Sequence, residues 1–191
     1  VQDLGRVLHS FSKLRTQWKE VEKTFQEEIQ VILEIVFLPY KASMWDSMES
    51  IYLAAKADPS CHAVVLPIPY YDRNSAHELT TKHNETNLFP PDLSCKSCEE
   101  YHLQDVQPDI IYIHNPFDGG NAVTSIDPRF YSNALKKNCS KLVYVPYYVS
   151  AGGIHSFQLN FFAYPFVDYV VAQSYNLLPY FSSLIKREQF I

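Results

Sequence analysis

Short apolar runs in this chain end in side chains that could bind a ligand or carry a proton. The run 110–113 is followed by His114 and Asn115, and the run 142–145 leads through a proline to Tyr147. Continuously apolar short runs are typical of strands that are buried on both faces, as in parallel sheets. In such sheets ligands bind at the carboxyl ends of the strands. The sequence therefore predicts a cleft at these ends, with the following ligand-binding candidates: Tyr40, Lys41, Tyr70, Tyr71, Asn115 and Tyr147.

Two histidines in this pattern are candidates for a general base. His114 ends a predicted strand, and an imidazole can accept a proton near neutral pH. Asp118 follows it closely and could orient the ring or bind a cation. The alternative is a histidine that is hydrogen-bonded to neighbouring backbone and holds the loop. His155, after a later predicted strand, has the same two interpretations.

Two glycine pairs and two carboxylates each have a functional and an ordinary interpretation. Gly152 and Gly153 precede a predicted helix whose N-terminus could hold a phosphate, whereas Gly119-Gly120 is more typical of a simple turn. Asp46 and Glu49, three residues apart on one helix, could act as acid and base, or could merely favour the start of that helix.

The cysteines favour no metal site. Cys95 and Cys98 form a lone C-x-x-C pair, whereas a structural zinc site usually needs two tight pairs of ligands. We therefore expect free thiols in a reducing compartment and no bound metal.

Composition limits the class of protein. The 191 residues carry a net charge of -5 and are 47% hydrophobic, which suits one domain with a sizeable core. No basic stripe is present, so nucleic acid is not an expected partner. No apolar run is long enough to span a bilayer, and no secretory signal pattern is present, so we expect a cytoplasmic protein.

The pattern of elements predicts an α/β fold, a doubly wound and mainly parallel sheet in a Rossmann-like domain over residues 31–191. A helix is expected at 44–57, with Ser43 as a possible N-cap, and another at 128–137, beginning at Asp127-Pro128. The strands are expected at about 31–39, 62–68, 109–114, 141–146 and 168–173, with further helices at 154–163 and 175–187 and a long polar loop at 72–100.

Residues 1–30 form a separate region, and a long helix is predicted over 3–30. Apolar residues alternate at spacings of three and four, which is a heptad seam. One interpretation is a coiled-coil homodimer or a docking helix, and the other is a helix packed on its own domain. The seam consists of Leu4, Val7, Phe11, Leu14, Trp18, Val21 and Phe25.

Four segments resemble bacterial proteins of the CDP-glycerol glycerophosphotransferase-like family, relatives of the teichoic-acid polymerases. They are the residues 36–50, 65–72, 113–118 and 141–147. The resemblance also implies Trp45 and Asp46, in the first segment, as substrate-binding residues. The resemblance spans about residues 33–187. It implies the acceptor-side, amino-terminal half of a GT-B enzyme that acts on cell-envelope polymers.

The same resemblance implies what the chain would need from elsewhere. A carboxyl-terminal domain would bind the nucleotide-activated donor, either CDP-glycerol or a nucleotide sugar, so no cofactor is expected in this domain. The full-length protein could associate peripherally with the inner face of the membrane. The family's Trp-His-Gly-Thr-type motif corresponds here to residues 146–155, where His155 could substitute for the motif's histidine. The alternative function is a non-catalytic α/β module for ligand sensing or assembly.

Overall fold

The structure of the chain is a computed structural model that describes residues 2–28, 31–149, 158, 160–180 and 185–191. The chain divides into two compact units, Val1–Ile32 and Leu33–Ile191. In the first unit, α1 (Gln2–Glu28) is one continuous helix, as the heptad pattern predicts. No Gly or Pro interrupts the helix after Gly5, and good helix formers occupy most positions outside the seam.

The second unit contains short strands and helices that follow one another along the chain. They are β1 (Leu33–Leu38), α2 (Asp46–Ala57), β2 (Cys61–Val65), β3 (Tyr70–Arg73), β4 (Leu79–His83), α3 (Leu103–Val106), β5 (Ile110–Ile113), β6 (Thr124–Ile126), α4 (Ser132–Leu135), β7 (Lys141–Tyr144) and β8 (Tyr169–Val170).

Five of these strands form one parallel sheet in the order β2-β1-β5-β7-β8. Each of the five apolar runs predicted to be a strand contributes one, so the α/β class and the parallel sheet are confirmed. β2 is added on one side of β1, and β5, β7 and β8 follow on the other side, so the direction in which strands are added reverses at β1. The strand order thus reverses at β1 and β5, and open α/β sheets bind their ligands at the carboxyl ends of the strands at such a point.

Both faces of the parallel sheet are buried. Alternate residues of each strand point to opposite faces, and different elements cover the two faces. On β1, Ile35 and Phe37 pack with Met48 and Tyr52 of α2. The other face of the sheet packs against residues of α3, α4 and the segments that precede β8. Its buried residues include Val36, Leu38, Leu103, Ile111, Leu135, Leu142 and Tyr164.

The prediction of an unstructured loop over 72–100 is wrong. β3 and β4 form a hairpin, and β6 pairs with β3 from the other side, giving a separate antiparallel sheet in the order β4-β3-β6. The side chain of Asn74 closes the hairpin by accepting from the backbone N–H groups of Ala76 and Glu78, and His77 adopts a positive φ of 61°. β4 is polar and largely exposed, so it lacks the apolar run by which the parallel strands are recognised.

Two predicted helix starts differ from the structure. Asp127 does cap a turn, since its side chain accepts from the N–H of Arg129, but extended backbone at Tyr131 separates that 3-10 turn from α4. Ser43 does not cap α2, because it lies inside a 3-10 turn and Trp45 occupies the N-cap position. Within the described residues, the helix predicted at 175–187 consists of two 3-10 segments, Tyr175–Tyr180 and Arg187–Gln189. Half of the helix predicted at 154–163, residues 154–157 and 159, lies outside the described residues, and residues 160–163 form bends and turns.

Candidate functional site

A hydrogen bond joins the two strand ends at the reversal point of the sheet. Tyr40 lies two residues beyond the end of β1, and His114 directly follows β5. The backbone N–H of Tyr40 donates to Nε2 of His114 over 3.1 Å. The segment after β1 is thereby held against the end of β5.

Aromatic rings line this edge in an unbroken row. The ring of Tyr40 contacts Tyr70 and His114 edge to face, with centroids 5.6 and 5.2 Å apart, and His114 contacts Tyr147 at 6.0 Å. The hydroxyls of Tyr40 and Tyr147 also interact. Burial, and then the neighbouring phenols, raise the pKa of Tyr40, so its hydroxyl is a neutral donor at physiological pH. Four of the residues predicted from separate strand ends therefore meet in one place.

Lys41 provides the cationic group of this row. Its Nζ lies 4.9 Å from the centre of the Tyr70 ring and 5.7 Å from that of Tyr40. Within the described residues, Lys41 forms no ion pair with a carboxylate. An ammonium that is held by ring faces rather than by a carboxylate can still bind an anionic group of a ligand.

Glu85 holds part of the row in place, a role that no pattern in the sequence indicated. One carboxylate oxygen accepts from the Tyr70 hydroxyl over 2.7 Å, and the other accepts from the Ala42 N–H over 2.8 Å. Burial and this bond to Glu85 raise the pKa of Tyr70 to about 12. Glu85 thus orients Tyr70 and also fixes the backbone next to Lys41.

An Asp–His pair lies beside the same tyrosine and was also missed. The Nε2 atom of His83 lies 2.7 Å from Oδ2 of Asp72, and the His83 ring stacks on Tyr70 with centroids 4.9 Å apart. The His83 side chain is 35% exposed, so the ring can reach a ligand. The hairpin brings Asp72 and His83 together. Because this segment was predicted to be a loop, the sequence did not indicate that the two residues are in contact.

The geometry of His114 fits the second interpretation, a histidine that is hydrogen-bonded to backbone and holds the loop in place. It is wholly buried, Nε2 accepts from the Tyr40 N–H, and Nδ1 lies 3.5 Å from the hydroxyl of Ser47. Burial lowers the pKa of His114 to about 4, so the ring is neutral at physiological pH. To act as a general base, His114 would first have to release the Tyr40 N–H.

Asp118 does not orient His114 through any described contact. Its two carboxylate oxygens accept from the N–H and the hydroxyl of Ser132, over 2.9 and 2.5 Å, at the start of α4. Burial raises the pKa of Asp118, while these two bonds act in the opposite direction. Its φ of 49° places it in a left-handed turn, which aspartate tolerates better than most residues.

The other predicted site residues lie apart from the row or outside the described residues. Trp45 is buried against Tyr52 and Phe89 in the core under α2. Asp46 is exposed in the first turn of α2, and the Tyr71 hydroxyl lies 3.5 Å from Asp127. Asn115 is buried and accepts from the N–H of Phe117, so it shapes the turn after β5. Gly152, Gly153 and His155 lie outside the described residues.

Gly119 and Gly120 form a turn that close packing restricts to glycine. A Cβ on Gly119 would lie 2.7 Å from the hydroxyl of Tyr131, and a Cβ on Gly120 would lie 2.1 Å from the ring of Phe162. The N–H of Gly120 donates to the carbonyl of Phe117, and the carbonyl of Gly119 accepts from Arg73. These contacts account for both glycines without a ligand.

The C-x-x-C pair is divided between the two sides of the core. Cys98 is buried in the cluster that contains Leu103, while Cys95 packs against the cluster under α2. Burial raises the pKa of both thiols. Within the described residues, no group of three or more His, Cys, Asp or Glu side chains is placed to hold a metal ion.

Comparisons of the chain with protein-family models, curated proteins and solved structures found no match. Among the residues described here, no helix combines the length and the apolar composition that crossing a bilayer requires.

Proposed function

We propose that this chain is the acceptor-side, Rossmann-like domain of a GT-B-like glycerophosphotransferase or glycosyltransferase that acts on cell-envelope polymers. The observation that carries the proposal is the meeting of Tyr40, Lys41, Tyr70, His114 and Tyr147 at the reversal point of the parallel sheet. These residues come from the separate segments that resemble the glycerophosphotransferase-like family.

The chemistry of the row suits a phosphorylated polyol. The Lys41 ammonium would bind a phosphate, because it lies over the Tyr70 ring without a carboxylate partner among the described residues. Tyrosine rings and hydroxyls would contact the carbon chain and hydroxyl groups of the acceptor. The hydrogen bonds that Tyr70 donates to Glu85 and the Tyr40 backbone donates to His114 hold both tyrosines in place before the ligand arrives, which reduces the entropic cost of binding.

In the proposed reaction a base removes the proton of the acceptor hydroxyl, and the oxygen attacks phosphorus of CDP-glycerol as CMP leaves. With a nucleotide sugar, the oxygen would instead attack the anomeric carbon of the sugar, whose bond to the phosphate oxygen breaks as the nucleotide leaves. The donor would be held by a second, carboxyl-terminal domain across the cleft. His155 stays the predicted base from the family resemblance, and His83, backed by Asp72, is a further proton acceptor within the described residues.

A non-catalytic ligand-binding module is the second candidate, and one observation favours it. Both predicted catalytic groups within the described residues already have partners: His114 bonds Tyr40 and lies beside Ser47, and Asp118 bonds Ser132. In this alternative the row binds a ligand, and binding is transmitted to another part of the assembly without turnover.

Calorimetric titration of the 191-residue chain with sn-glycerol 3-phosphate tests the proposal. Saturable binding is expected, and Lys41→Met should weaken it at least about tenfold, since the loss of a charge-assisted hydrogen bond costs more than 1.4 kcal/mol. Lys56→Met is the matched control, because Lys56 also lies over a tyrosine ring, that of Tyr52, at 5.5 Å. Equal affinities for the two variants, or no binding by the unchanged chain, would contradict the proposal.

A further inference from the structure

The first unit carries an apolar seam along one side of α1. Six side chains of the heptad pattern are between 48% and 70% exposed: Val7, Phe11, Leu14, Trp18, Val21 and Phe25. An isolated helix is only marginally stable in water, and one with a continuous row of exposed aromatic and aliphatic groups needs a partner. We propose that the seam of α1 pairs with the seam of a second copy of this chain, forming a two-stranded coiled coil.

The spacing of the seam specifies a helical partner. The six residues alternate at steps of three and four, so they repeat every 3.5 residues rather than every 3.6. A helix that lies on a sheet or another broad surface has a wider apolar stripe, with three or more such positions per heptad. A strict seam of two positions per heptad fits into the holes of another helix of the same periodicity.

The residues beside the seam favour a second copy of the same chain. In a coiled coil the flanking positions select the partner, and rows of one sign of charge exclude self-pairing. One flank of the α1 seam carries a single charge, Asp3 at its start, followed by the uncharged Ser10, Gln17 and Thr24. The other flank carries one charge of each sign, Arg15 and Glu22, and no row of like charge.

The area of the seam is sufficient for a stable dimer. An aromatic side chain buries about 150–250 Å² when fully covered, and Phe11, Trp18 and Phe25 are more than half exposed. In two copies these rings alone would bury roughly 700 Å², more than half of the ~1,200 Å² at which stable interfaces begin. The aliphatic seam residues and Leu8, which is 62% exposed beside the seam, provide the remainder.

Analytical ultracentrifugation of the 191-residue chain tests this proposal independently of the proposed function. The unchanged chain should sediment as a dimer at micromolar concentration. The double variant Phe11→Gln, Trp18→Gln keeps good helix formers in α1 and should raise the dimer dissociation constant at least about 100-fold. The control variant Leu88→Gln, Tyr175→Gln removes two side chains that are at least as exposed, 70% and 90%, and should remain a dimer.

Three results would overturn the proposal. The unchanged chain could sediment as a monomer throughout the micromolar range, or the Phe11, Trp18 variant could remain as dimeric as the control. A monomer that co-sediments with vesicles of phosphatidylcholine and phosphatidylglycerol would assign the seam to a membrane surface instead. Far-ultraviolet circular dichroism confirms that each variant is folded, so loss of the dimer is not confused with loss of structure.

Discussion

The backbone N–H of Tyr40 donates to Nε2 of His114 over 3.1 Å, across the point where the strand order of the parallel sheet reverses. The bond spans 74 residues of sequence and joins the ends of β1 and β5. Because Nε2 accepts, the neutral ring carries its proton on Nδ1, which lies 3.5 Å from the Ser47 hydroxyl. The ring is thus part of the scaffold that positions Tyr40 and Lys41.

This buried histidine should make stability depend on pH. Burial lowers the pKa of His114 in the folded chain to about 4 from its ordinary value of 6.5. Between these values the unfolded chain binds a proton that the folded chain does not, so stability falls as pH decreases. We expect His114 to reduce the free energy of unfolding by roughly 3 kcal/mol between pH 7.5 and pH 4.

Urea unfolding of the unchanged chain and of His114→Gln at both pH values measures this contribution. The glutamine variant does not titrate at this position, and the carboxyls that the two chains share cancel in the comparison. Parallel pH profiles for the two chains would show that His114 is not buried in its neutral form.

Glu85 should contribute more to stability than its position in a polar segment suggests. Glu85→Ala leaves the Tyr70 hydroxyl and the Ala42 N–H without their acceptor, which should cost about 1–3 kcal/mol of unfolding free energy. Glu78→Ala is the control, since Glu78 accepts from exposed Asn74 and its loss should cost less than about 0.5 kcal/mol. Chemical denaturation at pH 7 compares them, and losses of equal size would remove Glu85 from the support of the row.

Because the proposed enzyme binds its acceptor in this domain and its donor in another, we predict that this chain has no transferase turnover by itself. The groups that would stabilise the leaving nucleotide belong to the proposed donor domain, and such electrostatic stabilisation is usually the largest contribution to catalysis. Incubation with radiolabelled CDP-glycerol and a glycerol phosphate acceptor should yield no product above the protein-free control. Sustained product formation would refute this assignment of the domain.

The sequence was sufficient for the parallel sheet but not for the hairpin beside it. The parallel strands are continuous apolar runs because both sheet faces are buried, and such runs are visible without a structure. β4 carries Thr80, Thr81 and Lys82 on exposed positions, so its strand character depends on pairing with β3. Pairing between strands is a tertiary property that local composition does not reveal.

The same limit explains which site residues were found. Tyr40, Lys41, Tyr70, His114 and Tyr147 follow apolar runs, and the parallel sheet brings them together. Glu85, His83 and Asp72 reach the row only through the hairpin and the turn after it. Trp45 was predicted from a motif in which it lies near the site residues along the chain, but it faces the core on the other side of the backbone.

The most direct test of the account is the location of the bound ligand, measured on the chain with 13C-labelled tyrosine. Titration with sn-glycerol 3-phosphate should shift the ring signals of Tyr40, Tyr70 and Tyr147 with one common dissociation constant. Tyr101 and Tyr169 are internal controls, because each also has a lysine ammonium 5.5 Å from its ring centre, but at other places in the fold. Saturable shifts confined to the first three tyrosines are the predicted result. Shifts at Tyr101 or Tyr169 alone, or none at all, would contradict the claim that this edge of the sheet is the binding site.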